Sequence, residues 1–148
     1  MIKRLTLILS LMLLLPTAQA AERLMMARTA QSFPEAMLRL QQTLKDHGYT
    51  VSRVQRVDIG LTTFGYQTDK YRVVFFGKPE EIRRMTHEYP QLIPYLPLKI
   101  AIFAEQEETL LVASSPKQLL ETDQPELNRV LETWTADLLE ILDMMRNE

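Results

Sequence analysis

His47 and His87 are the only histidines of the chain, and cysteine is absent. Acid–base, nucleophilic or metal chemistry would have to be built from two imidazoles, carboxylates and hydroxyls. His87-Glu88 offers two metal ligands, or a base with its orienting carboxylate, and Asp58 or Asp69 a third group. The spacing does not support such a site, because no H-E-x-x-H or comparable run surrounds either histidine. His47 falls at the end of a predicted helix, where a cation suits the dipole. Surface or structural roles are the plainer reading of both. Ser114-Ser115 stand in no G-x-S-x-G or S-x-x-K setting and read as a turn before Pro116. Gly77-Lys78-Pro79 lacks the G-x-x-x-x-G-K-[ST] of a phosphate loop. The reading is of no catalytic residue, no metal site beyond the weak pair His87 and Glu88, and no cofactor.

Binding is better served. Residues 60–70 hold Gly60, Phe64, Gly65 and Tyr66 between predicted strands. Residues 88–97 hold Tyr89 and Tyr95 among Pro90, Pro94 and Pro97. Aromatic side chains on loops over a rigid sheet are typical of binding surfaces. The plainer alternative is that they cap the open end of the core.

The elements that must position these residues follow from periodicity. Residues 22–29 read as a short first strand. Ser32-Phe33-Pro34-Glu35 is a capping box, with Pro34 in a first turn where no N–H is needed. Phe33, Met37, Leu40 and Leu44 recur at helical spacing as far as Gly48, so a helix is predicted over residues 33–47. Residues 49–57 form a strand whose Val54 is out of phase with Tyr49 and Val51, which a bulge near residues 52–54 reconciles. Residues 71–76 are apolar at nearly every position, as in a strand covered on one face and partly shielded on the other. Pro79 opens a short surface helix over residues 78–89. Leu98, Ile100 and Ile102 point one way and Lys99, Ala101 and Phe103 the other. A hairpin turn over 105–108 returns the chain as strand 109–113.

Asp123-Gln124-Pro125-Glu126 opens the last helix, over residues 123–146. Leu127, Val130, Leu131, Trp134, Leu138, Ile141, Leu142 and Met145 keep its apolar stripe in phase. That stripe must lie on the sheet. Its polar face carries Glu132, Asp137, Glu140 and Asp143, which anionic lipid would repel, so membrane insertion is not expected. A curved sheet would leave an apolar pocket beneath this helix, lined by Trp134 and its neighbours. The order is β-α-β-β-(short helix)-β-β-α, an α+β two-layer domain with an antiparallel sheet and its helices on one face.

Residues 1–20 read as a secretory signal. Lys3 and Arg4 precede an apolar run, Pro16 breaks it, and Ala18-Gln19-Ala20 is an A-x-A cleavage signature. The run is too short to span a bilayer. No cysteine follows it to carry a lipid. Residues 21–148 are then one soluble domain in a periplasm, or secreted. Losing Lys3 and Arg4 takes the formal net charge from −2 to −4. No basic block offers a nucleic-acid footprint. Without disulfides, stability must come from packing.

Four segments together resemble a known family. They are His47-Gly48-Tyr49 with Val51, the Phe76-Gly77-x-Pro79 turn, the Leu96-Pro97-Leu98-Lys99-Ile100 strand entry, and Ser114 with Pro116 at the hairpin's end. Over residues 33–116 they look like the domain-of-unknown-function 302 family. The resemblance implies a β-α-β4-α fold of the TATA-binding-protein type, often as dimers, with no settled activity. Two positions depart from the pattern: Lys78 stands where the turn has Asn, and Ser114-Ser115 replaces an Asn-Asp type pair. The expected function is a non-enzymatic periplasmic module for a small apolar ligand, held between sheet and final helix with Phe64, Tyr66, Tyr89 and Tyr95 at its mouth. The alternative is a homodimerising or partner-binding module using an edge strand or the Pro-Tyr loop. An enzyme using His87 with Glu88 or Asp69 is the third reading.

Overall fold

The computed structural model describes residues 24–146. The signal sequence read at residues 1–20 lies outside them. The described elements are β1 (Leu24–Thr29), α1 (Phe33–Asp46), β2 (Thr50–Arg56), α2 (Val57–Thr62), β3 (Tyr71–Gly77), α3 (Pro79–Glu88), a 3-10 helix (Pro90–Tyr95), β4 (Leu98–Glu105), β5 (Glu108–Ser114), α4 (Pro116–Leu119) and α5 (Pro125–Arg146). The five strands make one antiparallel sheet in the order β1-β5-β4-β3-β2. This is the α+β two-layer architecture that the alternation of residues implied.

Local chemistry sets the boundaries. Glu35 accepts from the Ser32 backbone N–H at 3.0 Å and from the Ser32 hydroxyl at 2.6 Å. Those bonds hold its carboxyl below the ordinary glutamate range. At the other end of α1, Gly48 takes φ +77. The Gly48 N–H then donates to the Lys45 carbonyl at 2.9 Å and the Tyr49 N–H to the Leu44 carbonyl at 3.0 Å, a Schellman ending. In β2 the pairing to β3 slips between Val51 and Arg53. Ser52 is the extra residue, so the expected bulge is present.

Three local features differ from the sequence reading. The segment after β2 coils at once into α2, none of whose residues is buried. It is fastened from outside by Arg72 of β3, which pairs with Asp58, while within the helix Thr62 Oγ1 donates to the Asp58 carbonyl at 2.8 Å. The bond from Arg72 holds the Asp58 carboxyl below its usual range. The proline-rich loop is a 3-10 helix around Leu92, which is 1 % exposed. The last helix starts at Pro125, which needs no N–H donor and so takes the first helical position. This puts Gln124 rather than Asp123 at the cap.

The inner face of the sheet carries Met25, Ala27, Val74, Phe76, Ile100, Ile102 and Leu111, all buried. α5 lies across it with Leu127, Leu131, Trp134, Leu138, Ile141, Leu142 and Met145 buried. Its 22 residues span about 33 Å, more than the width of a five-stranded sheet. Each large apolar side chain buried there contributes roughly 1.5–3 kcal/mol. Two ties fix the far end of α5: Arg39 Nη2 donates to the Met144 carbonyl at 2.8 Å, and the Arg146 guanidinium donates to the Met26 carbonyl of β1. Leu138→Ala should therefore cost about 2–5 kcal/mol in chemical denaturation. The exposed neighbour change Leu139→Ala should stay within about 0.5 kcal/mol. Equal, small losses would show that the stripe is not packed as described.

Candidate functional site

The aromatic residues singled out from the sequence do not meet. Phe64 and Tyr66 sit in the turn after α2, 78 % and 68 % exposed. That turn precedes Tyr71, where β3 begins. Tyr89 and Tyr95 flank the 3-10 helix, which leads into Leu98 opposite Phe76 at the other end of β3. The seven residues of β3 separate the two groups by about 20 Å. Tyr89 packs against the core, and its hydroxyl is 3.4 Å from Glu126 Oε2. Burial and the Glu126 charge push that phenol above its usual range.

The space between sheet and final helix is filled. Trp134 is 2 % exposed, and its indole N–H donates to Glu81 Oε2 at 2.8 Å. The cavity beside it, under Tyr95 and Leu120, holds about 10 Å³. That is scarcely room for one water. Trp134 thus ties α5 to α3 in place of lining a pocket. A second tie lies alongside. Tyr49 packs edge-on to Phe76 at 5.3 Å and donates its hydroxyl to Asp137 Oδ2 at 2.6 Å. Burial first, and then the Asp137 carboxylate, push the Tyr49 phenol far above its ordinary range. Lys78 Nζ stands 4.6 Å from the centre of the Tyr49 ring and 3.8 Å from Asp137 Oδ2. Lys78 thereby joins the turn after β3 to the final helix.

A larger concavity lies elsewhere. It is an open groove of about 720 Å³ between the β2 edge, the end of β3, α3 and the segment leading into β4. Pro79, Ile82, Ile93, Leu96 and Pro97 give it apolar walls. Thr50, Ser52, Arg83, Thr86 and His87 are its polar members. Most of these are already engaged. The Ser52 hydroxyl donates to the Phe75 carbonyl at 3.2 Å, the Thr86 hydroxyl to the Ile82 carbonyl at 2.8 Å, and Arg83 pairs with Glu80 at 2.6 Å. His87 makes no hydrogen bond or ion pair among the described residues, and no carboxylate lines the groove.

Gly77 explains why the groove has its shape. A Cβ there would overlap the δ-methyl of Ile82. Glycine lets the first turn of α3 close down on the end of β3, and Pro79 starts that helix without a donor. The Gly-x-Pro turn is a packing device that sets the groove floor.

The chemistry available is limited. Glu88 Oε2 accepts from Arg84 at 3.0 Å, so the carboxylate next to His87 is committed to a helix-surface pair. His47 Nδ1 is 2.8 Å from the Thr43 carbonyl and Nε2 3.7 Å from Glu140. Ser115 is buried at the start of α4. Among the described residues no three His, Asp or Glu side chains could hold a metal ion. None of their helices is long and apolar enough to cross a membrane. The groove offers apolar walls and one unengaged imidazole.

These features define a two-layer α+β domain with an open surface groove. The family model "Domain of unknown function DUF302" matches residues 25–145, and the chain belongs to that family. The match takes in β1 and α5 as well as the stretch 33–116. The crystal structure of an uncharacterized conserved DUF302 protein from Bacillus stearothermophilus superposes with a TM-score of 0.77. It is 22 % identical, over 85 % of this chain and 100 % of that one, and shares the fold. No functionally curated protein matches the chain.

Gly77→Ala should destabilise the domain by about 1–3 kcal/mol through overpacking against Ile82. In an Ile82→Ala background the same change should cost much less, a coupling read from a double-mutant cycle by urea denaturation. Additive costs would contradict the contact.

Proposed function

We infer that this chain is a non-enzymatic binding module for a small, largely apolar ligand. It works outside the cytoplasm, in a periplasm or secreted, once residues 1–20 are removed. The observation that carries the reading is the groove of about 720 Å³ walled by Pro79, Ile82, Ile93, Leu96 and Pro97. Its volume lies within the range of small-molecule sites, and such sites are mostly apolar with few polar groups. His87 at the groove supplies one group able to orient a polar end. The absence of carboxylates from the lining favours a neutral or anionic end over a cationic one. The site thus moves from beneath the final helix, where side chains fill the space, to the outside of α3.

Native mass spectrometry of the chain purified from a periplasm tests this. The expected spectrum shows a chain starting at Ala21 and one stoichiometric added mass. Ile93→Asp, an exposed change at the groove, should remove that mass, while Phe64→Ala with Tyr66→Ala should leave it. A bare mass, together with no groove-dependent binding of the probe anilinonaphthalene sulfonate, would overturn the reading.

A further inference from the structure

The groove opens at its sheet side toward two cations that the fold does not use. The register places Arg53 of β2 opposite Phe75 of β3, and Phe75 opposite Lys99 of β4. Directly opposed residues share a face, so the three form one row on the outer side of the sheet, with Arg53 and Lys99 about 9.6 Å apart. Both cations are exposed, and Phe75 between them is half-buried. Neither cation makes a hydrogen bond, ion pair or ring contact among the described residues. The same face continues at Gly77, two residues beyond Phe75 on β3, at its partner Thr50, and at Pro97, two residues before Lys99. These three line the groove. Two residues along a strand are about 6.6 Å, which an arginine or lysine side chain spans.

Negative charge is kept away from this corner. α3 carries three carboxylates, and each is engaged. Glu80 pairs with Arg83, Glu81 accepts from the Trp134 indole N–H, and Glu88 pairs with Arg84. None of the three lines the groove. Lys78, in the turn itself, is engaged with Asp137. The chain as a whole is acidic, with a formal net charge of −2. Two exposed cations beside an apolar groove are therefore a local reversal of its field, and they favour an anion there.

We propose that the groove takes an amphipathic acid, an apolar body carrying one carboxylate, with Arg53 and Lys99 holding the carboxylate. The proposal rests on the groove being the binding site. The apolar body lies against Pro79, Ile82, Ile93 and Pro97, and the head group sits beside Phe75 between the two cations. The Phe75 ring excludes water from one side of the head group, which strengthens both ion pairs. Hydrogen bonds to a charged group are the stronger kind, and here they form only with an acid. A neutral alcohol with the same body gains burial alone, and an amine is repelled.

Isothermal titration calorimetry of the purified chain with octanoate and with 1-octanol tests this. Octanoate should bind about 10-fold or more tightly than 1-octanol, an advantage that shrinks as salt is raised. Arg53→Gln with Lys99→Gln should bring octanoate down to the affinity of 1-octanol and leave 1-octanol unchanged, a pattern that misfolding cannot mimic. Ile93→Asp should weaken both. Equal affinities in the wild type, or octanoate binding indifferent to the double substitution, overturn the acid and leave the groove standing as an apolar site. Octanoate binding indifferent to Ile93→Asp overturns the placement of its body. If neither probe binds, the groove reading falls and the proposal falls with it.

Discussion

Strand side chains alternate between two faces, and in this chain both faces are apolar while helices cover one. The whole arrangement follows from how α5 resolves that imbalance on the inner side. Seven buried residues of one helix lie on the inner residues of the strands, with Leu40 and Leu44 of α1 beside them. The helix must be long to cross the sheet, and it is tied to β1 through Arg146 at its end and to α3 through Trp134 near its middle. With the inner face filled, the cavity left beside Trp134 holds only about 10 Å³.

The groove accordingly lies on the outside of the domain. The groove depends on the position of α3, and α3 is set by three contacts already in place. Gly77 lets Ile82 close on β3, Glu81 accepts from Trp134, and Lys78 reaches Asp137 over the ring of Tyr49. Tyr49 is buried and its carboxylate partner Asp137 partly exposed, so removing Asp137 would leave the Tyr49 hydroxyl without its acceptor. The same contacts that fill the interior beneath α5 hold α3 at the wall of the outer groove.

Much of the fold was legible because its signals are local or strictly periodic. Phe33, Leu40 and Leu44 announced α1, Ser32, Glu35 and Gly48 its ends, and the phase slip at Val54 announced the bulge. Alternation through Leu98–Glu105 separated the two faces, and the near-continuous apolar run of Tyr71–Phe76 signalled a second apolar face. α2 was illegible because it buries nothing and leaves no apolar period; Arg72, ten residues beyond its last residue, holds it. The site was less legible still. Loop aromatics carry no record of which end of the sheet they reach, so Phe64 and Tyr66 could not be told apart from Tyr89 and Tyr95. The groove is assembled from β2, Gly77, α3 and Pro97, which only the sheet order brings together. The one sequence signal it had was the Gly-x-Pro turn.

Amide hydrogen exchange followed by nuclear magnetic resonance addresses the central claim most directly. If α5 is a structural clamp over a filled interior, amides from Leu131 to Leu142 should exchange only through global unfolding. Their protection should match that of the central strands β3 and β4. The 3-10 helix beside the groove should open with a smaller free energy. Exchange of α5 through a local opening well below the global value would instead make it a lid, and would return the binding site to the space beneath it.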